Sequence, residues 1–403
     1  MQLQQNITKP ATGSVFSPII FTTRFPALNG IRALAVMMVF ATHYGGGAKS
    51  GWLLNIYNSL RLRGWMGVDL FFALSGFLIT GILYDTRADS RFFTRFFARR
   101  SVRIFPVFYL VVAILLLLTP IFHYQWRAGH LPFLIYMGNF LANFDQSLYE
   151  VVSTNHPAAS AHLGHLWSLC VEEQFYLLWP FVVWKVRDRD RLLWIACGMS
   201  FLALAFRTSL LVLSPALAHQ IMWSLPARMD ALFMGAILAL LLRGESSDRC
   251  QRACKWVFLG ASALVATIFV LSPASDSAWL LSIGLTLIGA ASAGLIGMTL
   301  RSGSPAFRLF HLRPLWTLGK YSYGFYLYHL IWPGVWAWLA TWLTIRLHSS
   351  ALGGAIMNVV NFIVTFAVAK LSYDLFEARF FHLKERFQYD SELKTHKHAL
   401  TTR

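Results

Sequence analysis

The chain predicts an all-α membrane protein, a polytopic bundle of about ten transmembrane helices with both termini in the cytoplasm. Three observations carry this. Of its 403 residues, 56% are apolar or aromatic and only 13% are charged, about half the charge that coats a soluble globular surface. Ten apolar stretches of membrane-crossing length follow one another along the chain. The basic residues, 35 against 18 acidic ones, gather on one side of those stretches. A soluble enzyme, a disordered chain and a secreted disulfide scaffold are thereby excluded. Because the cations track the membrane, nucleic acid is not an expected partner.

Residues 1–26 are polar, with Pro10 and Pro18, and lack the basic start, apolar run and small-residue site of a signal peptide. They read as a cytoplasmic N-terminal segment, and the first apolar stretch reads as a retained span. Spans are expected at 28–44, 66–84, 104–122, 166–184, 192–213, 226–242, 256–272, 279–300, 321–343 and 352–376, near the roughly 20 residues a helix needs to cross hydrocarbon. Residues 27–376 then form one membrane domain and 377–403 a basic cytoplasmic tail. The stretch 131–144 is too short to span and reads as an interfacial or re-entrant piece. With the N-terminus inside, 26 of the 35 Lys and Arg fall on the inner side, 5 in outer loops, and 4 in or at the edge of spans. Sliding the count by one span would reverse that asymmetry.

The long outer loop 123–165 holds five of the 13 histidines. His162-x-x-His165 supplies two metal ligands with no cysteine or nearby carboxylate to complete a set, so no metal is expected and the segment reads as a wet surface loop. Cys250-x-x-x-Cys254 is a lone pair in an inner loop, where disulfides are rare.

Ionisable groups inside a membrane are costly unless paired or hydrated, so each is a candidate for function. Arg32 and His43 stand near the two ends of the first span. Eleven residues at about 100° each return to within about 20° of the same face, and the two side chains are about 16 Å apart along the axis. That face suits a channel; alternatively, Arg32 snorkels to the headgroups and His43 is interfacial. Asp69 in the second span lies at about the depth of His43, where a carboxylate would hold the imidazole's tautomer and prepare a general base. Glu172 and Glu173 sit side by side in the fourth span. They point about 100° apart, so at most one is expected to share a cavity with His43. Arg228 and Asp230 open the sixth span, and Tyr328 and His329 lie in the ninth. These polar residues read either as a site or as a network that only joins helices. On the inner side, Arg99, Arg100 and Arg103 run into the third span. Arginine's planar fork suits phosphate, and such a cluster also serves as a topology signal or an anionic-lipid contact.

At these residues the chain resembles the bacterial acyltransferase family 3, membrane O-acyltransferases that decorate surface saccharides. The likeness runs through nearly the whole chain in order. It includes the Arg32-to-His43 spacing, GVDLFFALSGFLIT at 67–80, RRSVRIFPVFY at 99–109, WSLCVEEQFYLLWP at 167–180, ARMDALFMG at 227–235 and YSYGFYLYH at 321–329. Cys170 stands where such proteins often have serine. Glu377-Ala378-Arg379 lacks the proline usual two residues after that glutamate, a departure at the end of the last span.

The resemblance implies a multi-pass protein of the bacterial inner membrane with no permanently bound cofactor. Its donor substrate would be cytoplasmic acyl-CoA, by family frequency acetyl-CoA, and its acceptor a hydroxyl of a saccharide or glycolipid on the far side. It implies His43 as catalytic base, and Arg32, Arg99, Arg100 and Arg103 for the donor. The residues themselves extend this: Asp69 to steady His43, Glu172 and Glu173 beside it, and Arg228, Asp230, Tyr328 and His329 for substrate or oxyanion. Membrane lipid is the surrounding partner. A transporter or flippase for a saccharide or lipid-linked precursor is the competing reading, and a non-catalytic scaffold is a third.

Overall fold

The computed structural model describes residues 25–44, 52–245, 247–272, 274 and 276–389, and these are almost entirely helical. In chain order the helices are α1 (Pro26–Tyr44), α2 (Trp52–Arg61), α3 (Met66–Thr86), α4 (Phe92–Phe122), α5 (Gly138–Ala142), α6 (Trp167–Val186), α7 (Arg189–Leu213), α8 (Pro215–Ile221), α9 (Leu225–Leu241) and α10 (Ser247–Leu271). They continue with α11 (Leu285–Thr299), α12 (Pro305–Phe310), α13 (Arg313–Lys320), α14 (Ser322–Tyr328), α15 (Pro333–Leu347), α16 (Ser350–Ser372) and α17 (Ala378–Lys384). Most of the expected N-terminal segment and the last part of the tail lie outside the described residues.

Among the described residues, six segments are long and apolar enough to cross a membrane: Met66–Thr86, Phe92–Phe122, Arg189–Leu213, Ser247–Leu271, Leu280–Thr299 and Ser350–Phe387. The other four expected spans fall on α1, α6, α9 and the α14–α15 pair. α9 has only 17 residues, and α6 carries Glu172, Glu173 and Lys185. All four bear ionisable candidates, as do α3 (Asp69) and α4 (Arg99, Arg100 and Arg103) among the six.

α3 is the central helix. It crosses α9 at a double glycine contact, where a Cβ on Gly76 would meet Leu232 O at 1.8 Å and one on Gly235 would meet Ala73 O at 1.9 Å. Close backbone approach of this kind is how helices hold together in a solvent as apolar as their side chains. The peripheral helices α4, α7, α10 and α16 turn bare Leu117, Trp194, Leu271 and Val359 outward, a surface suited to lipid and not to water.

Two expectations are corrected here. The ninth span is not one helix: α14 ends at Tyr328, residues 329–332 break, and α15 restarts at Pro333. Proline has no N–H to give His329 O, its carbonyl four residues back, and its ring would clash there. The freed carbonyls are taken by other donors. Tyr44 Oη donates to His329 O (2.8 Å), His162 N to Ile331 O (2.8 Å), and the His165 ring through Nε2 to Leu327 O (3.0 Å). Broken backbone at membrane depth is tolerated only when satisfied in this way.

The segment between α4 and α6 is likewise not a wet loop but an ordered cap. β1 (Glu150–Val151) and β2 (Ala161–His162) pair antiparallel, and Tyr124, Tyr149, Val151, Ala161 and His165 are buried. Its stretch around 131–144 packs back against α4. Tyr136 packs on Phe105 and Phe108 of α4 with ring centroids 5.7 and 4.5 Å apart. Phe108 lies 14 residues before the end of α4, about 20 Å along its axis.

Candidate functional site

α4 starts at Phe92 rather than at the expected 104, so the basic run is helical and its side chains have fixed directions. Arg100 and Arg103, three residues apart, share a face. With Arg32 of α1 they line a cavity of about 100 Å³ enclosed by α1, α3, α4, α6 and α14. Arg99 points away, donating to Phe387 O (3.2 Å) and lying over the Tyr389 ring. Among the described residues, none of Arg32, Arg100 and Arg103 forms an ion pair. Three guanidinium groups thus share one cavity with two carboxyl side chains, those of Glu172 and Glu173.

α6 supplies the facing wall. Ser168, Glu172 and Tyr176 recur every four residues, one stripe of the helix, and all three line the cavity together with Glu173. Ser75 Oγ donates to Glu172 Oε1 (2.7 Å) and Tyr176 Oη to Glu172 Oε2 (3.3 Å). The Arg100 guanidinium lies 4.6 Å from the centre of the Tyr176 ring. Tyr326 of α14 also lines the cavity. Its hydroxyl shares a hydrogen bond with Ser168 Oγ (2.6 Å) and donates to His165 O (2.9 Å).

One ring beyond Tyr326 stand three histidines. The ring centroids of His43 and His329 are 5.1 Å apart, those of His329 and His165 5.2 Å, and that of Tyr326 is 5.4 Å from His329. Arg32 and His43 therefore both look toward α14 and the break after it, as their eleven-residue spacing requires. His43 Nδ1 lies 2.9 Å from Val39 O. A carbonyl only accepts, so Nδ1 carries the proton and Nε2 keeps its lone pair, on a ring that reaches the surface. In the cap, burial, with His162 alongside, pushes the His165 imidazole down to about 3; it is neutral. Among the described residues no group of three or more His, Cys, Asp or Glu side chains is arranged to hold a metal ion.

Several expected partners are elsewhere. Asp69 does not join His43. A Cβ on Gly67 would meet Ala35 O of α1 at 2.4 Å, and Asp69, two residues and about 200° further round α3, faces α9. There Arg228 Nη2 donates to both its carboxylate oxygens (2.8 and 2.9 Å). Asp230 accepts from Arg207 and Thr286 (both 2.7 Å), while Arg207 also donates to Leu281 O and Ser282 O, carbonyls of the π-helical turn Leu280–Gly284. Arg228 and Asp230 are thus helix-joining pairs and not walls of the cavity. Glu172 and Glu173 both line the arginine cavity, and neither hydrogen-bonds His43. Tyr328 Oη pairs with Ser372 Oγ of α16 (2.8 Å), which takes it away from the site. His329 stands against His43. Ser75, Ser168, Tyr176 and Tyr326 were not singled out by sequence; the four-residue stripe Ser168–Glu172–Tyr176 is the signal that marks two of them.

A family model described as an acyltransferase domain matches residues 25–371. The chain is 28% identical over 377 residues to the peptidoglycan O-acetyltransferase OatA of Listeria monocytogenes, covering 88% of this chain and 56% of that protein. It is 31% identical over 325 residues to the putative peptidoglycan O-acetyltransferase YrhL of Bacillus subtilis, covering 75% and 48%. To the O-acetyltransferase OatA of Staphylococcus aureus it is 26% identical over 323 residues, covering 75% and 50%. The chain thus spans about half the length of the curated relatives it matches. No solved structure matches it.

Proposed function

This chain belongs to the acyltransferase family 3, and from that premise we propose that it is a membrane O-acetyltransferase. It takes an acetyl group from cytoplasmic acetyl-CoA and delivers it to a saccharide hydroxyl at the periplasmic side of the inner membrane. The single observation that carries this reading is the cavity. Three arginines without ion-pair partners line it, and so does Tyr326, whose ring packs against His329, the neighbour of a His43 imidazole with a free lone pair. The basic end of α4 then faces the cytoplasm, in keeping with the distribution of cations along the chain. Arg32, Arg100 and Arg103 grip the donor's phosphates through charge-assisted hydrogen bonds, and the thioester end rises between Glu172, Tyr176 and Ser168 toward Tyr326.

His43 Nε2 removes the proton of the acceptor hydroxyl as its oxygen attacks the thioester carbonyl. The C–S bond breaks, and the proton passes to the departing thiolate. The hydroxyls of Ser168 and Tyr326 both reach His165 O in this structure, and either serves the developing oxyanion only by turning its proton from that carbonyl; Arg228 is committed to Asp69. The relatives' names point to a peptidoglycan-like saccharide as the acceptor class.

The test uses purified protein in detergent, radiolabelled acetyl-CoA, and cell envelopes from a strain lacking the protein. Label is expected in alkali-labile esters. His43→Ala should lower its transfer by the about 10²–10⁴-fold that general base catalysis is worth, at unchanged protein level. A transporter would transfer no label, and undiminished transfer by His43→Ala would overturn the assignment of the base.

A further inference from the structure

His329 contributes more than a surface for His43 to lean on. Its Nδ1 lies 2.6 Å from Tyr326 O, and its Nε2 lies 3.4 Å from His43 Nδ1. The carbonyl of Tyr326 only accepts, so His329 carries its proton on Nδ1 and leaves Nε2 a bare acceptor. By the same reasoning Val39 O fixes the proton of His43 on Nδ1. Two independent carbonyls thus leave one arrangement for the pair: His43 Nδ1–H turned between Val39 O and the His329 lone pair. We propose that His329 is the positioning partner of His43, holding its Nδ1–H tautomer and accepting that hydrogen bond as the imidazolium forms.

This rests on the reading of His43 as base and fills the place that Asp69, held by Arg228, does not. A neutral acceptor makes chemical sense at this position. A carboxylate buried among these rings would carry its own desolvation cost, whereas the lone pair of a neutral imidazole strengthens its hydrogen bond only when His43 becomes charged. Contacts of this kind are commonly long before substrate binds and tighten in the reacting complex.

The proton balance is closed. The acceptor's proton moves to His43 Nε2 and later to the thiolate sulfur, and His329 keeps its own proton on Tyr326 O throughout. The backbone supports the geometry. His329 occupies the first residue after α14, Tyr44 Oη holds its carbonyl, and His165 packs its ring edge-on behind it. The titratable groups around the pair are Tyr44 from α1, Tyr326 from α14, and His162 and His165 from the cap. Among the described residues no carboxylate hydrogen-bonds either ring.

Two substitutions separate an acceptor from a packing ring. His329→Gln keeps an oxygen acceptor near the Nε2 position but loses the ring, while His329→Phe keeps the ring and loses the acceptor. With the envelope assay, His329→Phe should lower kcat at least about tenfold, a part of the about 10²–10⁴-fold that a general base contributes, with KM for acetyl-CoA within about twofold. His329→Gln, which keeps the acceptor, should retain clearly more of kcat than His329→Phe. A Phe variant as active as the Gln variant, both melting like the parent protein, overturns the pairing. If neither variant folds, the unsubstituted protein decides: solid-state NMR of ¹⁵N-histidine protein at acid pH should detect a nitrogen–nitrogen coupling between His43 Nδ1 and His329 Nε2, and its absence overturns the proposal. Loss of activity in His43→Ala alongside equal Phe and Gln variants would sink the pairing alone. Full activity in His43→Ala would sink the base assignment beneath it.

Discussion

At the scale of single residues, the position of an ionisable group along a helix was readable, but its partner was not. The eleven-residue interval between Arg32 and His43 fixes their common face by geometry alone. Asp69 lies at the right depth for His43, but which helix it faces depends on Gly67 lying against α1, a packing fact that depth does not carry. The same holds for Arg228 and Tyr328, whose partners Asp69 and Ser372 lie 159 and 44 residues away in sequence. His165 yields a prediction at this scale. Its folded value of about 3 lies below the ordinary histidine value near 6.5, so between those limits the unfolded chain binds a proton that the folded chain does not. Stability therefore falls as pH drops from about 6.5 toward about 3. Melting of the detergent-purified protein should shift down across that window, and His165→Asn should flatten the shift. A His165→Asn curve as steep as the parent's would assign the acid sensitivity to other groups.

At the scale of elements, hydropathy located the apolar stretches well but averaged over the interruption in the ninth. Pro333 was visible in the sequence; what it could not reveal was that a tyrosine from α1 and two histidines from the cap would come in to satisfy the freed carbonyls. The ordered cap was the least legible element, because its strands are two residues each and its burial comes entirely from long-range contacts. Tyr44→Phe tests the repair of the break. It leaves His329 O, which Pro333 cannot serve, without the donor that now reaches it, a loss worth about 1–3 kcal/mol for a buried polar group. The variant should melt several degrees below the parent with its secondary structure intact. An unchanged melting temperature would mean that the carbonyl finds another donor.

At the scale of the whole molecule, the charge asymmetry between alternate connections of the expected spans is the feature most directly written in the sequence, because the positive-inside bias acts on the chain during insertion rather than on the finished fold. Its test is accessibility. In a background without the four native cysteines, a cysteine at Asn155 in the cap should react with a membrane-impermeant maleimide added to intact cells whose outer membrane has been permeabilised. One at Asp248, at the start of α10, should react only after lysis. The reverse pattern would invert the assignment of the arginine end to the cytoplasm.

Tyr326 lines the arginine cavity and packs its ring 5.4 Å from His329, and that placement bears on the proposed reaction. A continuous watery duct through the bilayer would drain the proton gradient that energises the membrane, whatever else it carried. Under the proposed reaction, a two-carbon cargo handed past one phenol ring by chemistry needs no such duct.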